Sequence, residues 1–267
     1  MDIFEFTQGT SPLLISVPHA GTFVPATLAS GMTASANTSP DADWHVDQLY
    51  DFARDLGASF IVATHSRYVV DLNRPPDGSS LYPGQDVTEL CPLLQFDSSP
   101  IYQPGQEPDA SDVAARRDTY WRPYHEKLAS ELHRIRDQHG YALLWDAHSI
   151  RSVEPRFFDG RLPDLNLGNG DGTACDATLA TRLSAVAQES EGYTAILNGR
   201  FKGGHITRNF GNPANRIHAM QLELSQITYM EEFPPYRFRD DLANGVRPVL
   251  KRLLEAMLDW GRTHGAG

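Results

Sequence analysis

The chain has 267 residues, 40% of them apolar and 21% charged, a globular balance with material for a sizeable core. Acidic side chains outnumber basic ones by 34 to 23, and the resulting charge of −11 argues against phosphate backbones and so against a nucleic-acid partner. No run approaches the ~18 apolar residues of a membrane span, and the first residues lack a basic or apolar leader, so a cytoplasmic protein with no membrane partner is expected.

The first strand is expected over Leu13–Val17, and Ser16-Val17-Pro18-His19-Ala20-Gly21 places a histidine just beyond its end. A helix is predicted from about residue 43 to 56, opened by Asp41-Ala42-Asp43-Trp44-His45-Val46-Asp47. Asp41, Asp43 and Asp47 each offer a carboxylate to a metal, and each could equally cap the helix or face solvent; spacing does not choose among them. A second strand over Phe60–Ala63 leads to Ser66-Arg67-Tyr68 and then to Asp71-Leu72-Asn73-Arg74, where an amide beside a guanidinium fork suits a carboxylate ligand. The proline-rich stretch 75–108 resists assignment, and loops this long commonly line a site.

Further on, a helix is predicted over about 113–138 and a strand over Ala142–Trp145, with Asp146-Ala147-His148 past its end. Residues 151–176, rich in Gly and Asp, again resist assignment. A helix over 177–187 and a strand over Ala195–Leu197 precede the basic, glycine-containing stretch that holds Arg200, His205 and Arg208. Met220–Leu224 reads as a strand with Glu223 inside it, and a last helix runs over about 240–260. The alternation predicts one domain spanning 1–267, of the α/β class, with a sheet covered by helices on both faces.

Two histidines and a carboxylate at strand ends match the three-ligand zinc site that keeps one position open, with Asp146 placed to steady His148. Glu223 is costly to bury unpaired, so it is either a general base of raised proton affinity or a solvent-facing residue on an edge strand. Cys91 and Cys175 lie far apart and read as free thiols. G-x-S-x-G, H-E-x-x-H and the P-loop pattern are all absent. Only Lys127, Lys202 and Lys251 are lysine among the 23 basic residues, so arginine supplies the other 20.

These segments together resemble the N-formylglutamate amidohydrolases (deformylases) of histidine degradation, over about residues 11–257. The resemblance is carried by SVPHAG at 16–21, DADWHVDQLYDFA at 41–53, SRYVVDLNRP at 66–75, LYPGQ at 81–85 and YWRPYH at 120–125. LLWDAHSIRS at 143–152, LPDLNLG at 162–168, NGRFKGGHITRNFG at 198–211 and QLELSQITYM at 221–230 complete it. It implies a three-layer fold with a mixed sheet, like that of zinc carboxypeptidases and aspartoacylases (phosphorylase/hydrolase-like), and the DLNR at 71–74 resembles the substrate-binding DLNR of aspartoacylases.

The activity it implies is hydrolysis of N-formyl-L-glutamate to formate and L-glutamate with one divalent metal, zinc. By motif, His19, Asp43 and His148 resemble the ligands, Glu223 the carboxylate that activates water, and Arg67 the arginine at the scissile carbonyl. Asn73 and Arg74 resemble the pair that grips the α-carboxylate. The second substrate carboxylate falls to Arg208, His205 or Arg200, with Arg208 ranked first. The chain departs from the short H-x-x-E of zinc carboxypeptidases, since 24 positions separate His19 from Asp43. Two further readings stay open: a zinc amidohydrolase for another N-acyl amino acid or peptide, and an inactive metabolite-binding relative.

Overall fold

The computed structural model describes residues 1–80, 84 and 87–264; apart from Gly84, the LYPGQ motif lies outside the described residues. Seven strands share one mixed sheet: β1 (Phe4–Thr7), β2 (Leu13–Val17), β3 (Ser59–Ala63), β4 (Ala142–Ile150), β5 (Leu165–Gly168), β6 (Ala195–Leu197) and β7 (Ile217–Ser225). Their order across the sheet is β1-β3-β2-β4-β7-β5-β6. β1 runs antiparallel to β3, and β5 to β7, while the other pairs are parallel.

The helices are α1 (Ala26–Ala29), α2 (Val46–Leu49), α3 (Ala110–Arg116), α4 (Arg122–His139), α5 (Ala177–Gln188), α6 (His205–Phe210) and α7 (Asp240–His264). The side-chain alternation of the strands sorts them onto two faces. Ile15, Leu143, Trp145 and Leu222 pack with Leu179 of α5 and Leu250, Leu253 and Met257 of α7. Leu14, Leu144 and Ala219 pack on the other face with Leu128, Leu132 and Ile135 of α4 and Ile206 of α6. Each such large apolar side chain contributes about 1.5–3 kcal/mol on burial. No helix among the described residues is long and apolar enough to cross a membrane.

β4 and β7 lie side by side in the middle of the sheet and are buried along all nine residues of each. Parallel strands covered on both faces read this way, and polar residues inside them are the exception that needs a reason. The predicted strand 142–145 therefore continues through Asp146 and His148, which lie within β4 and not beyond it. Glu223 is no edge residue either, because β5 and β6 close the sheet beyond β7.

Other boundaries differ from the sequence-based expectation for local reasons. The helix expected over 43–56 is broken into α2 and a 3₁₀ turn, Asp51–Arg54, and it starts late because His45 takes a left-handed φ of 63°. Residues 151–176 contain β5, and the basic stretch near 205 forms α6. The helix predicted over 113–138 runs from Ala110 to His139 with a π-helical turn, Arg117–Trp121, inside it.

α4 buries His125, whose Nε2–H donates to the Leu72 carbonyl at 2.8 Å. Burial pushes this imidazole from its ordinary 6.5 down to about 3. The unfolded chain then binds a proton that the folded chain refuses, so stability falls as pH drops from the unfolded value toward the folded one. Thermal unfolding should register this. The stability advantage of the wild type over His125→Gln narrows between pH 7 and pH 4, because glutamine carries no such titration; a constant gap would contradict the neutral imidazole.

Candidate active site

The parallel strands β2, β3, β4 and β7 point the same way, so their carboxyl ends open onto one crevice. His19 follows β2, Arg67 and the 71–74 loop follow β3, His148 lies late in β4 and Glu223 late in β7. In register, His148 pairs with Glu223 and Asp146 with Gln221, so all four belong to the α4/α6 face of the sheet.

Asp43 sits between the two histidines. His148 Nδ1 lies 3.1 Å and His19 Nδ1 3.7 Å from its Oδ2, and one donor atom from each residue falls within 4.8 Å of the others. The far nitrogens are taken: His19 Nε2 meets Asp71 Oδ1 at 2.8 Å, and His148 Nε2 lies 3.1 Å from Asp146 Oδ1 and 3.0 Å from Asn73 Nδ2. Asp71 holds the His19 proton on Nε2 and leaves its Nδ1 lone pair facing Asp43, while on His148 the Asn73 amide donates to Nε2 and Nδ1 meets the same Asp43 carboxylate at hydrogen-bond distance. Two imidazole nitrogens and one carboxylate oxygen, all buried, are a fitting donor set for a divalent metal ion.

The electrostatics agree. Burial raises the Asp43 carboxyl, but the His148 and His19 imidazoles beside it outweigh that and leave the group lowered. Burial likewise opposes ionisation of Asp71, yet the Arg67 guanidinium and His19 hold it well below the usual carboxylate range. Burial lowers the proton affinity of His148, and Asp146 and Asp43 more than reverse it, so positive charge is favoured at this spot. Glu223 goes the other way: burial, reinforced by the nearby Asp43 carboxylate, pushes it up to about 8. An acid that takes up a proton near neutrality beside such donors has the character of a general base.

A cleft of about 590 Å³ opens over this cluster. Arg67 Nη2 donates to Asp71 Oδ2 at 2.7 Å, and its guanidinium lies 4.7 Å from the centre of the Phe96 ring. Arg74 lines the cleft and is steadied by Thr88, donating from Nε to the carbonyl and from Nη2 to the hydroxyl at 2.9 Å each. Arg200 lines it too, with Nε donating to the Phe157 carbonyl and the guanidinium beside the Phe157 and Phe201 rings. Gly204 leaves room for the Asn73 amide, since a Cβ there would fall 2.3 Å from Asn73 Nδ2.

The fold thus brings together His19, Asp43, His148, Glu223, Arg67, Asn73, Arg74 and Arg200. It does not bring Arg208 to the cleft wall: on α6 its Nε donates to the Gly203 carbonyl and Nη2 lies 3.8 Å from the exposed Asp171. The His205 ring packs near Trp121 and His125, behind the cleft. Of the alternative acids, Asp41 is occupied by the Tyr68 hydroxyl and the Phe96 N–H, and Asp47 faces solvent. Asp71 and Gln221 were not singled out from sequence. Asp71 had a signal in its spacing of four from Arg67; Gln221, which accepts the Gly204 N–H at 2.7 Å and donates to Glu223 at 3.3 Å, had only its place two residues before Glu223.

A base of raised proton affinity facing two imidazoles and an acid, under a cleft rimmed with guanidinium groups, suits the addition of water to a small anionic substrate. Fold and cleft together define a hydrolytic enzyme of the α/β class. The profile of the N-formylglutamate amidohydrolase family matches residues 11–230. N-formylglutamate deformylases of Pseudomonas putida and Pseudomonas aeruginosa are 53% and 51% identical to the chain, covering 97% and 98% of both partners in each case. A crystal structure of N-formylglutamate amidohydrolase from Ralstonia eutropha JMP134 superposes with a TM-score of 0.82 at 27% identity, covering 98% of this chain and 99% of that one. The chain belongs to the N-formylglutamate amidohydrolase family.

Proposed function

We propose that the protein hydrolyses N-formyl-L-glutamate to formate and L-glutamate, with one divalent cation, zinc, held by His19, Asp43 and His148. The observation that carries this reading is the convergence of those three buried donors, with Glu223 facing His148 from the adjacent strand. The substrate comes from the activity for which the Pseudomonas relatives are named. When bound, the cation would supply Lewis-acid polarisation and acidify water.

The chain's own residues do the rest. Glu223 accepts a proton from the attacking water and returns it to the amide nitrogen as the C–N bond breaks. The hydroxyl stays on the formyl carbon, so formate forms and L-glutamate leaves as the amine. Arg67 donates to the carbonyl oxygen as negative charge builds there; one such donor is worth roughly 100–1000-fold in rate. Asn73 and Arg74 receive the α-carboxylate. Arg200, and not Arg208, receives the side-chain carboxylate, since Arg200 lines the cleft and Arg208 is turned toward Asp171. Phe96, Phe157 and Phe201 line the cleft as well and would exclude water around the methylenes.

The finer parts of the reading go with it. The mixed sheet with donors at its strand ends supports kinship with zinc carboxypeptidases and aspartoacylases, and the single continuous sheet supports one domain over 1–267. A cytoplasmic place in histidine degradation follows from the family resemblance.

A panel of N-formyl, N-acetyl and peptidyl derivatives of glutamate tests the function directly. Formate release from N-formyl-L-glutamate should dominate; preference for an N-acetyl or peptide substrate, or an inert protein that still binds glutamate, would replace the reading. Arg74→Ala should raise KM for N-formyl-L-glutamate about 10–100-fold with kcat little changed, as expected for a lost charge-assisted bond made in both ground and transition states. Unchanged KM would remove Arg74 from carboxylate binding.

A further inference from the structure

Three consecutive carbonyls in the 71–74 loop are each gripped. The Leu72 carbonyl accepts His125 Nε2–H at 2.8 Å, and the Arg74 carbonyl accepts Trp121 Nε1–H at 3.0 Å. Between them, the Asn73 carbonyl takes the His205 N–H at 3.3 Å and Arg74 Nη1 at 3.2 Å, while Asn73 Oδ1 takes the Ile206 N–H at 2.8 Å. One side of this grip comes from the start of α6 and the other from α4.

The α4 side is built by an irregularity. The π-helical turn Arg117–Trp121 puts an extra residue into the helix and so re-aims the side chains of the next turn. Trp121 and His125, four apart, then stack with ring centres 3.6 Å apart and planes 11° from parallel. Both N–H groups reach the same loop, one to each side of Asn73. His125 must carry its proton on Nε2 to donate to a carbonyl, and its buried Nδ1 has no hydrogen-bond partner among the described residues. The pair is a rigid two-pronged donor whose partners are main-chain atoms of the two residues flanking Asn73.

We propose that Trp121 and His125 are positioning residues for carboxylate recognition: they fix the backbone from which Asn73 and Arg74 project into the cleft. This rests on the reading that Asn73 and Arg74 grip the substrate carboxylate. Neither ring lines the cleft, so both act through the loop and not on substrate. Loosening either prong shifts the Arg74 side of the receptor. Asp71 and the Asn73 amide, which touch the two histidines, keep their own anchors in Arg67, the Leu90 carbonyl and the Ile206 N–H, so Glu223 and the histidine pair stay in place.

The test measures kcat, KM and metal content with N-formyl-L-glutamate for Trp121→Phe, His125→Leu, His125→Gln, Arg74→Ala and the double variant Trp121→Phe/Arg74→Ala. Trp121→Phe, which keeps a ring in the stack, and His125→Leu should each raise KM about five- to tenfold with kcat within about twofold and metal content unchanged. His125→Gln, which can still donate from an equivalent position, should recover most of that loss. In the Arg74→Ala background, Trp121→Phe should add less than about twofold, because its effect is carried by the same receptor. A fall in kcat at steady KM, or the full Trp121→Phe increment without Arg74, overturns the proposal. Arg74→Ala with unchanged KM overturns instead the carboxylate reading beneath it. Should His125→Leu fail to fold, the Trp121→Phe cycle decides alone.

Discussion

Glu223→Gln should lower kcat for formate release by about 10²–10⁴-fold, the range set by removing a positioned general base. The change is nearly isosteric, so it removes the proton-accepting oxygen and little else. Glu223 lies in the middle of the sheet, where its amide replacement still faces the Gln221 side chain, and it is not one of the three converging donors. Metal content should therefore stay near that of the wild type. Plasma mass spectrometry beside the kinetics separates the outcomes: loss of the ion would make Glu223 a ligand, and retention of both ion and turnover would end its role as base. The same burial that raises its proton affinity to about 8 makes the negative form hungry for a nearby cation, which draws the group toward its base form.

Asp43→Asn should abolish metal binding. It is the only one of the three donors with a negative charge, and it stands between both imidazoles. Asparagine keeps the shape and can still accept the Ser149 N–H now bound at 3.1 Å, so the fold should survive. What disappears is the charge that offsets the cation's desolvation. Metal content should drop from about one ion per chain to background, and formate release should fall to the level of the chelated wild type. Asp71→Asn, which meets His19 only on the side away from Asp43 and also pairs with Arg67, should cost about 10–100-fold in metal affinity and not the whole site. Full occupancy in Asp43→Asn would sink the ligand assignment.

The uneven legibility of this site has physical causes. The apolar runs of β2, β3 and β7 announce strands because burial on both faces demands them, and β4 is announced only by its first four residues, since Asp146 and His148 break the run. The same break marks chemistry: a strand keeps buried polar residues only where partners or a ligand compensate them. Asp71 is silent in the sequence because its value is relational. It joins His19 to Arg67, and nothing local in Asp71-Leu72-Asn73-Arg74 says that a histidine 52 positions away needs a carboxylate. Arg208 and Arg200 are alike in sequence context, and only the direction of α6 turns one toward Asp171 while the other lines the cleft.

The sequence by itself determined the inventory: which residue types stand near strand ends, the α/β alternation, and motifs dense enough to mark the family. Residue spacing left Asp41, Asp43 and Asp47 open and the family resemblance pointed to Asp43; the tertiary structure is what brings Asp43, and not the other two, to the histidines and puts Glu223 in the centre and not at an edge. The reason is distance along the chain. His148 and Asp43 are 105 positions apart, so their contact depends on strand order and on the left-handed turn at His45, and neither leaves a local pattern. Charge at a site is likewise set by neighbours in space: a chain of net −11 still gathers Arg67, Arg74 and Arg200 around one cleft.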